Sequence, residues 1–229
     1  ERKEPMRPVD YRKFRLKYRN TPEFSHVKLL LFWPIFGLFF AFVERVGVSN
    51  VYTPIHIPLD DHIPFCEWFV IPYLFWFVFL IGMLVYTFFF EVPAFRKMMR
   101  FVICTYSVTM AIYILFPNCQ NLRPTAFPRD NILTRFMAWF YTFDTNTNVC
   151  PSLHVIGAVA SLYAGWKSRR FGTRPWRIVF VVITVLISLS TVFLKQHSAL
   201  DVFAALPLCA LGWWVAELRI PKKKFAQAR

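Results

Sequence analysis

Long apolar runs separated by short polar segments dominate the pattern of this 229-residue chain. A membrane-spanning helix needs about 20 mostly apolar residues, and six runs approach or exceed that length. They cover residues 27–43, 68–90, 98–116, 151–166, 178–194 and 199–220. A soluble helical core would require a polar face on each run, and most of the runs have none. The pattern therefore predicts an all-α polytopic membrane protein, a bundle of about six transmembrane helices.

Basic residues mark one side of this predicted bundle. Six spans place both chain ends on the same side, and that side carries 22 of the 27 Lys and Arg residues. The positive-inside rule then predicts that both termini are cytoplasmic and that the polar loops on the other side are extracytoplasmic. A long charged segment precedes the first apolar run, so the start lacks the pattern of a cleavable signal. We expect a multi-pass protein of the cell membrane.

The chain is predicted to form one domain between two basic ends. Residues 1–26 are a basic segment, residues 27–220 the membrane domain, and residues 221–229 a basic tail. In the first segment, Tyr11, Phe14 and Tyr18 recur at helical spacing among basic residues. This spacing is compatible with a solvated tail or with an interfacial helix bound to anionic lipid at the cytoplasmic face. Nucleic acid is a poor alternative partner, because membrane topology already accounts for the charge.

The extracytoplasmic loops contain two further features. Residues 131–143 are rich in aromatic side chains, which predicts a helix at the membrane surface or a cover over a lipid entrance. Residues 54–64 combine several prolines with His56, Asp60, Asp61 and His62. The spacing of these four is not diagnostic of a metal site, so a proline-ordered loop is the favoured interpretation.

The five cysteines give no zinc-binding spacing. Cys104 and Cys209 fall inside predicted spans, where they are expected to pack as small apolar residues. Cys66, Cys119 and Cys150 fall on the extracytoplasmic side. A disulfide between Cys119 and Cys150 is compatible with that compartment, but sequence spacing leaves the pairing open.

Two polar islands at the ends of spans hold the candidate chemistry. The first, residues 148–154, ends in Pro151, Ser152 and His154; a proline at the first helical position predicts a helix start that can bind phosphate. The second, residues 195–201, places His197 and Asp201 four apart, on one face of a helix. Each residue alone is compatible with an ordinary polar position at the interface. Their placement on one side of the membrane favours a functional site.

The residue types suggest phosphoryl transfer. A carboxylate such as Asp201 can hold one imidazole nitrogen of His197 and leave the other free to attack phosphorus. His154 is the candidate proton donor to the leaving alcohol. Arg123 can bind two phosphate oxygens with parallel hydrogen bonds, and Ser152 with nearby backbone N–H groups can hold the others.

These motifs resemble those of the type 2 phosphatidic acid phosphatase superfamily. Pro151-Ser152-x-His154 resembles the second motif of that family. Ser190, followed at the family's spacing by His197 and Asp201, resembles the third. Arg123-Pro124 resembles the end of the first. The resemblance covers the region from the third to the sixth predicted span.

The resemblance implies a metal-independent enzyme, without a cofactor, that removes phosphate from lipid phosphates or diphosphates. It makes His197 the nucleophile, Asp201 its partner, His154 the acid and Arg123 a phosphate ligand. The implied substrates are polyprenyl phosphate or diphosphate, phosphatidic acid and phosphatidylglycerol phosphate, acted on from the extracytoplasmic side. The alternative that is not an enzyme is a transporter in which the two islands line a polar cavity.

Two positions depart from the family pattern. Phe116 stands where the first motif usually has Lys, and Thr191 stands where the third motif usually has Arg. We predict that Lys195 supplies one replacement charge, and that neutral hydrogen bonds come from Gln120 and Asn121. The departures also favour, as an alternative, a phosphotransferase that moves a phospho-headgroup between lipids, as the sphingolipid synthases do.

Overall fold

A computed structural model describes residues 9–47 and 49–218; the basic tail at residues 221–229 and the first eight residues of the basic N-terminal segment lie outside this range. The described residues form eight α-helices and two strands of two residues each. The helices are α1 (Phe32–Arg45), α2 (Pro58–His62), α3 (Val70–Phe90), α4 (Val92–Leu115), α5 (Ile132–Phe143), α6 (Leu153–Lys167), α7 (Arg174–Phe193) and α8 (Ala199–Glu217). The strands are β1 (Thr53–Pro54) and β2 (Asn118–Cys119), which pair in parallel.

Five of the helical segments are long and apolar enough to cross a membrane. They are Ser25–Arg45, Glu67–Phe90, Val92–Leu115, Arg174–Phe193 and Ala199–Glu217. Their number and composition suggest an integral multi-pass membrane protein. The prediction of an all-helical bundle is confirmed at this level.

The fourth predicted span, residues 151–166, is a shorter helix in the middle of the bundle. Helix α6 has 15 residues, about 22 Å of helix, and it packs against α3, α4, α7 and α8. Small residues allow these close contacts, because a Cβ atom at Gly165 would lie 2.4 Å from the ring of Phe180. The helix begins at Leu153, with Ser152 as its N-cap, so the expectation that Pro151 takes the first helical position is wrong.

The polar stretch between the second and third predicted spans is reduced to a single residue, Glu91, between α3 and α4. Pro93 lies in the first turn of α4, where its missing N–H costs nothing. The Glu91 carboxylate accepts a hydrogen bond from the Ser168 hydroxyl (2.8 Å) and so holds the turn that follows α6. The basic residues of this stretch therefore lie on α4; Lys97, for example, forms an ion pair with Glu217 (2.6 Å).

The described part of the basic N-terminal segment is folded against the bundle, but not as one helix. Two short 3₁₀ turns occupy Tyr11–Lys13 and Leu16–Tyr18. The Tyr11 hydroxyl contacts His26 Nε2 (2.7 Å) and donates to the carbonyl oxygen of Phe88 (2.7 Å). The segment is thus anchored at the end of α3 where Phe88 lies. Neither a free tail nor a continuous amphipathic helix describes it.

The loops at the other end of the bundle are held together by α5 and by the strands. We call this the histidine end, where α1, α4 and α7 finish and α3, α6 and α8 begin. The predicted aromatic surface helix is present as α5, and Asn131 caps it by accepting from the N–H groups of Leu133 (2.9 Å) and Thr134 (3.1 Å). Thr53 of β1 pairs with Asn118 of β2, which joins the loop after α1 to the loop after α4.

Candidate functional site

His197 and Asp201 meet at the start of α8. Ser198 caps this helix, and the Oδ2 atom of Asp201 accepts from the Ser198 backbone N–H (3.0 Å). The same oxygen lies 3.0 Å from Nδ1 of His197. The His197 backbone N–H also donates to the Thr191 carbonyl (3.0 Å), which fixes the backbone from which the imidazole ring extends. A carboxylate at Nδ1 leaves Nε2 as the nitrogen available for chemistry.

His154, the second residue of α6, lies beside His197. The two ring centroids are 5.7 Å apart in an edge-to-face arrangement. The His154 ring also packs against Tyr73 (4.7 Å between centroids) and Trp76 (4.5 Å) of α3. Both histidines line one cavity of about 330 Å³, which we call the histidine cavity. At this separation, one phosphoryl group can contact both rings.

The turn that leads into α6 is held by residues of α4 and β2. The Tyr113 hydroxyl donates to the carbonyl oxygen of Pro151 (2.7 Å). The amide side chain of Asn118, which is fully buried, accepts from the Cys150 N–H (2.8 Å) and donates to the Cys150 carbonyl (3.0 Å). Asn118 thus fixes the approach to His154, a role that no sequence motif indicates.

Arg123 forms hydrogen bonds both to the end of α5 and to Gln196, the residue before the catalytic candidate His197. Its two terminal nitrogens donate to the carbonyl oxygens of Tyr141 (3.1 Å), Asp144 (2.8 Å) and Thr145 (2.8 Å). One of them also contacts the Asp144 carboxylate (3.3 Å) and donates to Oε1 of Gln196 (2.6 Å). Burial lowers the pKa of Arg123, while Asp144 opposes that shift. The guanidinium therefore lies behind Gln196, which lines the histidine cavity, and its Nε atom has no partner among the described residues.

The other predicted phosphate ligands lie away from the histidine cavity. The Lys195 ammonium donates to the carbonyl oxygen of Asp60 (2.8 Å), so it does not supply the missing charge in this geometry. Ser152 is fully buried as the cap of α6. Gln120 accepts from the Leu122 N–H (2.6 Å), and Asn121 is exposed on the loop surface. Since the histidine cavity is lined by other side chains, none of these four contacts it.

No family model, curated protein or solved structure matches this chain. Function must therefore be inferred from the side chains around the histidine cavity. In the described part of the chain, no group of three or more His, Cys, Asp or Glu side chains is arranged to hold a metal ion.

Neither cysteine of the possible disulfide is paired. Cys119 and Cys150 are both free thiols. Burial raises the pKa of the Cys150 thiol to about 12. Because the thiolate is the nucleophilic form of cysteine, Cys150 is a weak nucleophile at neutral pH.

Further polar side chains of the histidine cavity lie outside the predicted motifs. They include Glu44 from the end of α1 and Asp144, Asn148 and Gln196 from the loops. Asn148 and Gln196 are nearly fully buried, yet Asn148 Oδ1 and Gln196 Nε2 have no hydrogen-bond partner among the described residues. Buried polar atoms without partners are uncommon, and here both belong to residues that line the histidine cavity. Asn148 and Gln196 belong to the two polar islands of the sequence, whereas no motif marked Glu44 or Asp144.

Asp60 is a positioning residue in the stretch that the sequence predicted to be a proline-ordered loop. It lies in α2 and is only 2% exposed. Its carboxylate accepts from the Ser198 hydroxyl (2.6 Å) and from the Ala199 N–H (2.7 Å). Together with the contact from Lys195 to its carbonyl, Asp60 holds the chain on both sides of His197.

We expect Asp60→Asn to lower kcat by about 10-fold or more on any substrate, because a small displacement of a reacting group is costly. The carboxylate accepts hydrogen bonds at both oxygens, and the amide has only one acceptor oxygen. The measurement is kcat and KM together with thermal unfolding in detergent. Asp61→Asn is the matched control, since the Asp61 side chain is 65% exposed and pairs with His56. Equal kinetics for the two variants would remove Asp60 from this role.

Proposed function

We propose that this protein is an integral membrane enzyme that removes phosphate from lipid phosphates or diphosphates, and that it belongs to the type 2 phosphatidic acid phosphatase superfamily. The observation that carries the proposal is the shared histidine cavity. His154 and His197 have ring centroids 5.7 Å apart, and Asp201 lies at the far nitrogen of His197. A nucleophile, its orienting carboxylate and a second proton-transfer group are the parts that this chemistry requires.

The proposed reaction has two steps. His197 Nε2 attacks phosphorus, and the bond from phosphorus to the lipid oxygen breaks while His154 gives that oxygen a proton. Water then attacks the phospho-histidine as His154 takes its proton, and the P–N bond breaks to release phosphate. Asp201 stabilises the imidazolium form of His197 in both steps. These steps use no metal or cofactor.

The transition-state charge needs donors near the phosphoryl oxygens. Gln196 lines the histidine cavity, and its buried Nε2 atom has no hydrogen-bond partner among the described residues, so Gln196 is a candidate donor. Arg123 supports it, because its guanidinium donates to the Gln196 side-chain oxygen (2.6 Å). In this proposal Arg123 acts on the phosphate through Gln196.

We place the histidine end on the extracytoplasmic side and both termini in the cytoplasm of a cell-membrane protein. Support comes from the charge distribution, since 22 of the 27 basic residues belong to the opposite side. Candidate substrates are polyprenyl phosphate or diphosphate, phosphatidic acid and phosphatidylglycerol phosphate. The interaction of the basic N-terminal segment with anionic lipid is part of the same proposal.

A lipid phosphotransferase is the second candidate, and a specific observation favours it. The histidine cavity is lined largely by aromatic rings, including Trp33, Phe36 and Phe40 of α1. Such a lining suits a second lipid alcohol as the acceptor in place of water. The phospho-histidine step is the same for both enzymes.

The decisive experiment traps the intermediate on the full-length protein in detergent. Lipid phosphates labelled with ³²P are added, the reaction is quenched in alkali, and labelled peptides are mapped. We expect the label on His197, together with free phosphate from at least one of the candidate lipids; a phosphotransferase would give the same label but pass it to an added lipid alcohol. Label on a different residue, or neither label nor turnover across the panel, would refute the proposal.

A further inference from the structure

The basic N-terminal segment contains an open pocket of about 630 Å³, which we call the N-terminal pocket. It lies at the end of the bundle opposite to the histidine end, because the Tyr11 hydroxyl of this segment donates to Phe88 at the end of α3. One acidic side chain, Glu23, lines the pocket. Four basic side chains line it as well: Arg12, Lys13, Arg15 and Lys17. The proposed reaction uses none of these residues.

The backbone around the N-terminal pocket is folded by local hydrogen bonds. The Tyr18 N–H donates to the Arg15 carbonyl (2.8 Å). The Thr21 hydroxyl and N–H both donate to the Tyr18 carbonyl (2.8 and 2.9 Å). Phe24, which also lines the pocket, is only 3% exposed and packs edge-on against the Phe14 ring (5.5 Å between centroids). The basic side chains therefore extend from a folded backbone with an apolar base.

Two contacts attach this folded segment to the bundle, one on each side of the pocket in sequence. Arg96 of α4 donates to the Pro22 carbonyl (2.9 Å) and to the Ser25 hydroxyl (2.9 Å). On the other side, the Tyr11 hydroxyl donates to the Phe88 carbonyl (2.7 Å). A site that is already ordered loses less conformational entropy when a ligand binds. The N-terminal pocket is thus better suited to a specific ligand than a free basic tail is.

Most of the positive charge in the N-terminal pocket is not balanced by acidic side chains. Among the described residues, the one ion pair of these four cations joins Lys13 to Asp10, at 3.9 Å, and both side chains are exposed. Arg12, Arg15 and Lys17 form no ion pair within that part of the chain. An anionic ligand can therefore bind these three cations without breaking an ion pair.

Exposed apolar side chains beside the pocket indicate that its ligand lies at a membrane surface. Leu16 is 73% exposed and Tyr18 is 40% exposed, although both stand among basic residues. The chain continues directly into Ser25–Arg45, a helical stretch that is long and apolar enough to cross a membrane. Apolar side chains in such a position insert between lipid head groups and acyl chains. A lipid ligand provides that contact, whereas a soluble anion leaves Leu16 and Tyr18 in water.

A phosphate monoester complements the charge of the N-terminal pocket better than a phosphodiester does. A monoester carries close to two negative charges at neutral pH, and a diester carries one. The four cations of the lining are enough to balance both charges of a monoester in the presence of Glu23. Guanidinium groups also bind phosphate oxygens through parallel hydrogen bonds, and a monoester offers three terminal oxygens.

We propose that the N-terminal pocket binds the head group of a membrane lipid whose phosphate is a monoester, such as phosphatidic acid, at a site separate from the histidine cavity. Arg12 and Lys17 bind the phosphate oxygens, while Leu16 and Tyr18 contact the lipid beside its head group. A general attraction to anionic lipid depends on charge alone, whereas this site distinguishes one head group from another. Its placement in the cytoplasmic leaflet rests on the proposed topology, but binding does not require the proposed chemistry.

The test measures lipid binding to the full-length protein in detergent by native mass spectrometry. Phosphatidic acid is compared with phosphatidylglycerol of the same acyl chains. We expect the double variant Arg12→Gln, Lys17→Gln to weaken the binding of phosphatidic acid by about 10-fold or more, because two charged contacts to phosphate are lost. Binding of phosphatidylglycerol should change much less. The histidine cavity is intact in this variant, so the loss reports on the N-terminal pocket, and thermal unfolding checks the fold.

The double variant Arg174→Gln, Arg177→Gln is the matched control. Both residues are exposed in the first turn of α7, at the same end of the bundle, and their replacement removes the same charge. We expect the control to change the binding of phosphatidic acid by less than about twofold. Equal losses in the two double variants would mean that only net charge matters, and would overturn the site.

Two measurements on the wild type identify the source and the position of the ligand. Inorganic phosphate at equal concentration should not displace phosphatidic acid, and displacement would overturn the assignment to a lipid. Phosphatidic acid with a photoreactive group near its glycerol should label residues 11–24. Label confined to the histidine cavity would overturn the N-terminal pocket, whether or not the variants fold, and would leave the proposed function standing. Conversely, absence of ³²P on His197 would refute the proposed function and leave label at residues 11–24 unaffected.

Discussion

Replacing His197 with Ala is expected to lower kcat by about 10⁴-fold or more, as removal of a covalent nucleophile does in other enzymes. The fold should tolerate the change, because Asp201 keeps its hydrogen bond from the Ser198 backbone N–H (3.0 Å). The measurements are product release and trapped phosphate on the protein, with thermal unfolding in detergent as the check on folding. His56→Ala is the control, since His56 pairs with Asp61 at the surface.

Asp201→Asn refines this result. An amide at position 201 can still contact Nδ1 of His197, but it favours the wrong ring tautomer, so we expect a loss on the order of 10³- to 10⁴-fold in kcat. Phosphate should still become attached to His197, only slowly. If His197→Ala keeps activity within tenfold of the wild type, the phospho-histidine mechanism is wrong, and the transporter alternative gains support.

Replacing Arg123 with Ala is expected to destabilise the protein by about 3 kcal/mol or more, because it leaves several buried acceptors without donors. The guanidinium satisfies the carbonyls of Tyr141, Asp144 and Thr145 and the side chain of Gln196, and the Arg123 side chain is only 16% exposed. The measurement is the midpoint of thermal unfolding in detergent, followed by kcat and KM on the protein that remains folded.

Arg123→Lys separates the structural role from a direct role in catalysis. Lys keeps the charge but cannot reach the same set of acceptors with a planar group. We expect it to recover part of the stability and little of the kcat, because Gln196 loses the donor that orients its amide. An Arg123→Ala variant that unfolds at the wild-type temperature would contradict the contacts described above.

Hydropathy predicted the long helices well because length and apolar composition are local properties. It failed where neighbouring elements decide the structure. Arg96 and Lys97 were predicted to lie before the third span, yet they lie on α4, which begins at Val92 just after Glu91. Lys97 forms an ion pair with Glu217 there. The turn at Tyr11 is likewise anchored by a contact with Phe88, far along the chain.

The candidate site was predictable where a motif or close spacing marks its residues, and His154 and His197 do line one cavity. His197 and Asp201 were predicted to share one face of a helix, but His197 lies before the N-cap Ser198. Their contact comes from the capping turn, in which Asp201 also accepts from the Ser198 N–H.

Asp60, Glu44 and Asn118 act on segments far away in the chain, and no sequence pattern ties them to those segments. The prediction for Lys195 differs from the structure in the opposite way. Its proximity in sequence to His197 suggested a shared pocket, but its ammonium donates to the carbonyl oxygen of Asp60.

The short length of α6 determines the depth at which the proposed chemistry takes place. His154 packs against Trp76, which lies six residues into α3, about 9 Å along the axis of that helix. The reacting phosphorus would therefore lie below the level at which the surrounding longer helices leave the bilayer. A lipid would reach the histidines by inserting its head group between aromatic rings while its tails stay in the bilayer. Soluble phosphate esters without tails should therefore be poor competitors.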